Sequence, residues 1–320
     1  VLPILAHQMT PLSLRLYTSS DRAAWNDFIQ QSVNGCFLHE REFMEYHSDR
    51  FQDHSLMAFD DDNLRGCFPA HVVDDHLISH NGLTYAGWIV SADATDLDNL
   101  HQALLDYSQN NSIINLKIKL PPAIYDDIYQ KTFDALNSNG YSVNDTADDV
   151  VIDLADWQPS AKKTIGYRNG KFDQLQVQQS EDLAYYWNNI LVPSLKNRHN
   201  ATPVHSLAEI QLLQSRFPDG IKLHIVEFDQ EPIAGILVFD FGNILKIQYA
   251  ASTSLGFEKN AMDYLYLELI AQARQDGKKH IDLGIVNERD GSINQGLLRF
   301  KKQLGGKQLK VATATYTFTA

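Results

Sequence analysis

Three segments gather residues that could do chemistry. In Lys162-Lys163-Thr164-Ile165-Gly166-Tyr167-Arg168-Asn169-Gly170-Lys171, the densest basic run, helical spacing puts Lys163, Tyr167 and Lys171 on one face with Arg168 beside them. A cationic face with an aromatic suits phosphate or pyrophosphate; the bland alternative is a linker helix with its charges in water. Residues 196–205 crowd Lys196, Arg198, His199 and His205 into a loop between helices, where functional residues often sit. Arg198 would meet an anion there, and His199 would contact an anion or accept a proton. His205 would cap the next helix, and either histidine could instead serve a structural hydrogen bond. Residues 296–306 are the most informative. Gly296 permits close backbone approach, Gly305-Gly306 ends a helix, and Phe300 beside Lys301 joins an apolar face to a cation, with Arg299 preceding. Otherwise this is a short helix packed by Leu297, Leu298 and Phe300 with its lysines in water.

Several chemistries are excluded by what is missing. The chain has no GxxxxGK[ST] loop, no GxGxxG after a strand, no HExxH and no GxSxG. Asp74-Asp75 with His71 and His76 has poor spacing for a metal, so no metal is expected. Two cysteines, Cys36 and Cys67, exclude a disulfide scaffold and a four-cysteine zinc site. No apolar run reaches the roughly 18 residues of a membrane-spanning helix. The opening 1–6 is apolar but short for a signal peptide and without a basic flank, and Met9 could be the natural start. We therefore expect a cytoplasmic protein. A net charge of -13 disfavours DNA and other nucleic acid as generic partners. Residues 1–160 carry 24 acidic against 8 basic side chains; residues 161–320 carry 16 against 19. Only the second half keeps cationic charge to attract an anionic ligand locally.

The elements that must position these residues follow a repeated order. A strand at 14–17 leads into an amphipathic helix holding Trp25, Phe28 and Ile29, then a short helix at 40–47. A hairpin follows at 55–73, with further strands at 76–80 and 83–90, a helix at 97–108, a strand at 113–120, a helix at 124–136 and a strand at 150–154. The second half reads helices at 181–196 and 207–216, a hairpin at 221–239, a strand at 244–250 and a long helix at 258–276 with Met262, Leu265 and Leu269 on one face. It continues as a strand at 280–285, a short helix at 293–303 and a strand at 309–318. This predicts an α/β (α+β) chain of two similar domains, 1–158 and 159–320, each a mixed sheet flanked by helices. Two such domains commonly hold the ligand between them. Tyr85 and Tyr249, at equivalent strand ends, would line that groove or serve as core residues with satisfied hydroxyls.

The residues Phe37-Leu38-His39-Glu40, Phe68-Pro69-Ala70 and 79–87, with Ile281-Asp282-Leu283-Gly284 and Arg299-Phe300-Lys301…Leu304-Gly305-Gly306, resemble the tandem branch of the GNAT superfamily. That branch includes the Fem-type peptidyltransferases and related acyltransferases of cell-surface polysaccharide synthesis. The resemblance implies two GNAT-like domains and transfer of an acyl or aminoacyl group onto an amine of an envelope precursor such as an amino-sugar nucleotide. It places Phe300 and Lys301 at the reacting ester. The GNAT pyrophosphate loop is replaced by Ser252-Thr253-Ser254-Leu255-Gly256-Phe257, a departure from ordinary acetyl-CoA binding. The donor stays open between acyl-CoA or acyl carrier protein and aminoacyl-tRNA, with the thioester favoured because an acidic first half ill suits tRNA. Lys301 would stabilise the oxyanion, His199 or Asp282 would take the proton, and Lys163, Arg168, Lys171 and Arg198 would hold the acceptor's phosphates. The other reading is a catalytically silent tandem-GNAT protein that binds a nucleotide sugar or a protein partner.

Overall fold

In the computed structural model residues 12–92, 97–160, 163, 164 and 170–319 are described, with backbone alone for Arg198 and His199. The segment preceding Met9, Tyr167 and Arg168 lie outside the described residues. The chain divides into two units, Val1–Asp145 with Val311–Ala320, and Thr146–Lys310.

In the first unit, β1 (Ser13–Leu16) pairs antiparallel with β3 (Leu56–Asp60), β3 with β4 (Asn63–Phe68), and β4 with β7 (Ile89–Val90). A second sheet runs β2 (Gln52–Asp53), β5 (Ala70–Val73), β6 (His76–Ser79) and β8 (Asn115–Lys119), with β6 and β8 parallel. Residues 64–73, expected as one strand, divide between the two sheets at Pro69, which has no N–H to give a ladder. The expected strand at 83–90 shrinks to Ile89–Val90. Leu83, Tyr85 and Ala86 are buried, but on irregular chain, so their burial imitates strand periodicity. The helix Leu97–Asn110 buries Leu100 and Leu104 against Leu56, Phe68, Trp88 and Leu116. Each such side chain contributes about 1.5–3 kcal/mol on leaving water.

The second unit is built on one sheet in the order β10 (Leu175–Ser180), β11 (Ile221–Phe228), β12 (Glu231–Asp240), β13 (Ile244–Ser252), β14 (His280–Ile285) and β9 (Ser142–Asp153). The β11–β12 hairpin closes through Asp229 and Gln230, both left-handed at φ 51° and 65°, the geometry that matches strand twist. Strands β13 and β14 are parallel, Ile244–Lys246 facing His280–Asp282. The expected helix at 258–276 is two pieces, Ser254–Glu258 and Ala261–Gln275, broken where Asn260 is left-handed at φ 56°. The helix expected at 181–196 holds a π-helical stretch, Tyr186–Leu191, before Val192–His199. Pro193 accounts for it: a proline cannot donate to the carbonyl four residues back, and the preceding turn widens. Gly235 makes room for this helix, since a Cβ there would lie 2.7 Å from the Tyr186 ring.

From β1 in the first unit and from β10 in the second, the order strand, helix, helix, hairpin, strand, helix, strand, helix recurs, with β2 and the β5–β6 hairpin additional in the first. The units part at 145/146 rather than at 158/159, and the last residues return to the first unit. The cause is pairing: β9 joins β14 through Asp149–Asp153, and β15 (Lys307–Thr317) joins β8 through Thr313–Thr317.

Candidate active site

The helix Gln295–Gln303 carries Arg299, Phe300 and Lys301. It starts at Asn294, whose Oδ1 accepts the Leu297 N–H at 2.8 Å. It ends at the glycine pair: Gly305 is left-handed at φ 96°, and a Cβ on Gly306 would lie 2.5 Å from Val150 Cγ1. This seats the helix against the end of β14 and turns Lys301 inward. Lys301 is 5% exposed, and its Nζ donates to the carbonyls of Gly284 at 2.7 Å and Ile285 at 3.1 Å. Two consecutive carbonyls can reach one ammonium because the strand bends there. Asp282 Oδ1 accepts the Gly284 N–H at 2.6 Å, and Gly284 takes φ 85°, where a side chain would be strained. An ammonium has three donors, and two are spent on these carbonyls.

Three more charges are buried around it. Lys246, on β13, pairs with Asp282 at 2.7 Å. Asp149, on β9 opposite Ile285, is 2% exposed, and its Oδ1 accepts the Val150 N–H at 2.7 Å. Burial, reinforced by the Asp282 charge, pushes the Asp149 carboxyl up to about 7. Burial pulls the Lys301 ammonium down to about 8, against the attraction of Asp149 and Asp282. For Lys246, burial opposes the charge, but Asp282 and Asp149 outweigh it and raise its affinity for a proton. Two lysines and two aspartates thus share a site with little water. Two of the four, Asp149 and Lys301, change charge close to neutrality, so the group can take up and return a proton.

The other sequence candidates are scattered. Phe300 is partly buried, edge-on to Tyr266 with ring centroids 5.6 Å apart. Lys163 does not share an open cationic face with Lys171. It is buried, ion-paired to Asp263, with its Nζ 4.8 Å from the Phe300 ring centre, whereas Lys171 is exposed beside Phe172. Lys163 therefore packs on Phe300 and pairs with Asp263. Arg198 and His199 close the helix Val192–His199 rather than sitting in a loop, with Asn200 left-handed after them; their side chains are outside the description. His205 is not the cap. Ser206 is, through its hydroxyl and Glu209, while His205 Nδ1 lies 2.7 Å from the Tyr249 hydroxyl. Tyr249 follows a bulge at Gln248 and stands edge-on to Trp187 at 5.2 Å. Tyr85 is buried in the first unit beside Tyr125, and Arg299 is exposed. Asp282, expected as a proton acceptor, is held by Lys246 and the Gly284 N–H.

Sequence reading missed Asp149 and Lys246. A signal was there: each is a charge set in or beside an apolar strand run, 150–152 and 244–247, where solvent-facing alternation is absent. Among the described residues no group of three or more His, Cys, Asp or Glu is arranged to hold a metal ion, and no helix is long and apolar enough to cross a membrane.

Residues 172–302 match the acetyltransferase (GNAT) domain family. No curated protein matches the chain. Three solved structures share its fold over nearly their whole length. The crystal structure of FemX has a TM-score of 0.69 at 12% identity, covering 96% of this chain and 97% of that one. The structure of L-PGS from Bacillus licheniformis has a TM-score of 0.62 at 12% identity, covering 96% and 94%. A tandem GNAT protein from the clavulanic acid biosynthesis pathway has a TM-score of 0.52 at 12% identity, covering 96% and 98%. The chain therefore has the tandem GNAT fold that its motifs resemble, and the Lys301 helix lies inside the matched domain.

Proposed function

We propose that this chain, an acetyltransferase (GNAT) domain set in the tandem fold that FemX also has, is an N-acyltransferase. It moves an acyl or aminoacyl group onto the amine of a phosphate-bearing envelope or polysaccharide precursor, such as an amino-sugar nucleotide. The observation that carries the reading is Lys301: a buried ammonium, anchored on two carbonyls and coupled to Asp149, within the matched domain. The neutral amine attacks the donor carbonyl. The N–C bond forms as the C–S or C–O bond to the leaving group breaks. The proton lost by nitrogen goes to the Asp149 carboxylate, which returns one to the leaving sulfur or oxygen. Lys301 meanwhile faces the oxyanion as a fixed positive charge, an effect strongest where water is excluded.

The turn at 252–257 bears on the donor. Thr253 Oγ1 accepts the Gly256 N–H at 3.1 Å, the Thr253 carbonyl takes the Phe257 N–H, and a Cβ on Gly256 would lie 2.3 Å from the Ile233 carbonyl. Two of the N–H groups near this helix start, those of Gly256 and Phe257, are thus spent on the chain itself. This favours a thioester or ester donor whose phosphates are held elsewhere. The same observation favours the second reading, a catalytically silent binding protein. A mass-spectrometric screen of acyl-CoAs, an acyl carrier protein thioester and charged tRNAs against amino-sugar nucleotides separates the two. A new amide on the acceptor supports the enzyme; binding without product from any donor supports the silent protein.

A further inference from the structure

Asp126, in the first unit, is a buried carboxylate with no cation. It is 8% exposed; Oδ1 accepts the Ile128 N–H at 2.8 Å and Oδ2 the Asn34 amide at 3.2 Å. Among the described residues no Lys, Arg or His pairs with it, and its charged neighbour, Asp127, is also negative. Burial accordingly pushes its carboxyl up, against the two hydrogen bonds. Beside it is a cavity of about 20 Å³ whose wall includes Asn34, Tyr85, Trp88, Tyr125, Asp126 and Thr132. That is room for one group the size of a water molecule or an ammonium head. The Tyr85 and Tyr125 rings stand 5.0 Å apart at 58°, and the Trp88 indole N–H, on a residue 3% exposed, has no partner. Asn34 fastens the frame: its amide also donates to the Trp88 carbonyl at 2.9 Å, and its oxygen accepts the Val90 N–H at 3.0 Å.

We propose that this cavity binds the primary ammonium group of a small molecule. The Asp126 carboxylate supplies the counter-charge, and the tyrosine rings supply the electron-rich walls that cations favour. A cavity of this size takes the ammonium head alone, which points to primary alkylamines as the ligand class. A nitrogen held this way keeps its proton and is no nucleophile. It is therefore a different nitrogen from any that is acylated, and the site stands independently of the transferase reading.

The test is a titration of the full chain with 2-aminoethanol, ethylammonium and 1,2-ethanediol, following the Trp88 indole N–H resonance assigned with Trp88→Phe. The two amines should shift that resonance saturably at millimolar concentration, and the diol should not. Asp126→Asn keeps an acceptor for the Ile128 N–H but removes the charge, and should weaken amine binding about tenfold or more. Tyr125→Leu should weaken it without altering any charge, and decides the matter if Asp126→Asn fails to fold. No shift with either amine, an equal shift with the diol, or undiminished binding by both variants overturns the proposal and leaves a single water as the occupant. The readout needs no turnover, so its failure leaves the acyl-transfer reading untouched.

Discussion

At the scale of single residues, the proposed chemistry rests on Lys301 and Asp149. Lys301→Met removes the cation and should lower kcat on the order of 10²–10³, as loss of an oxyanion donor does. Lys302, the next residue on the same helix, is exposed, so Lys302→Met should leave kcat within about twofold of the parent. Equal losses in both would sink the assignment. Lys301→Met also leaves the Gly284 and Ile285 carbonyls short of a partner, a cost of about 1–3 kcal/mol, so rates belong well below the melting temperature. Asp149 makes a prediction of its own. A carboxyl raised to about 7 in the folded protein binds a proton there between pH 4 and 7 that the unfolded chain does not bind. Its contribution to stability is full below its unfolded value and is lost as pH rises through about 7. Urea unfolding at pH 5 and pH 7 should therefore show the parent losing about 2 kcal/mol more than Asp149→Asn over that interval. Identical pH slopes would mean that Asp149 titrates normally.

At the scale of elements, the sequence is most readable where the signal is local. The second hairpin with its turn at Asp229-Gln230 and the helix Gln295–Gln303 lie where alternation, turn residues and the terminal glycines place them. Failures come where a backbone need or a distant neighbour decides. Pro69 splits a strand between sheets, Pro193 follows a widened turn, and Asn260 breaks a helix whose apolar spacing runs on without interruption. The site shows the same division. Phe300 and Lys301 stand in a recognisable string, whereas Asp149 is brought opposite Ile285 by pairing across more than a hundred residues, which no window of sequence displays. The π-helical turn can be tested through its partner. Gly235→Ala should destabilise by about 1–3 kcal/mol, because its Cβ meets the Tyr186 ring at 2.7 Å. Gly242→Ala meets nothing within 4 Å but forces φ 79° on a side chain, and should cost about 1 kcal/mol. A thermal melt in which Gly242→Ala is the worse of the two would show that the Tyr186 contact relaxes freely.

At the scale of the whole molecule, the important fact is where β9 and β15 end. Val311–Ala320 belongs with the first unit, where Ala312 and Ala314 are buried in a core otherwise made by residues before 145. A chain stopped after Lys310 should therefore lose the first unit's cooperative melting while the second keeps its own, read by calorimetry. A single unchanged transition would refute this. Residues 1–158 made alone should fold poorly for the same reason, and should gain structure when a peptide spanning 307–320 is added. The timing of synthesis follows from the same strand. At about 5–20 residues per second, the 165 residues of Thr146–Lys310 take roughly 8–33 seconds to make. Once it has emerged, the first unit waits about that long with the edge of β8 uncovered, a template on which another chain could pair. The half of the protein that is made first is finished last, and slowing the ribosome between codons 146 and 310 should lower soluble yield more than the same delay earlier.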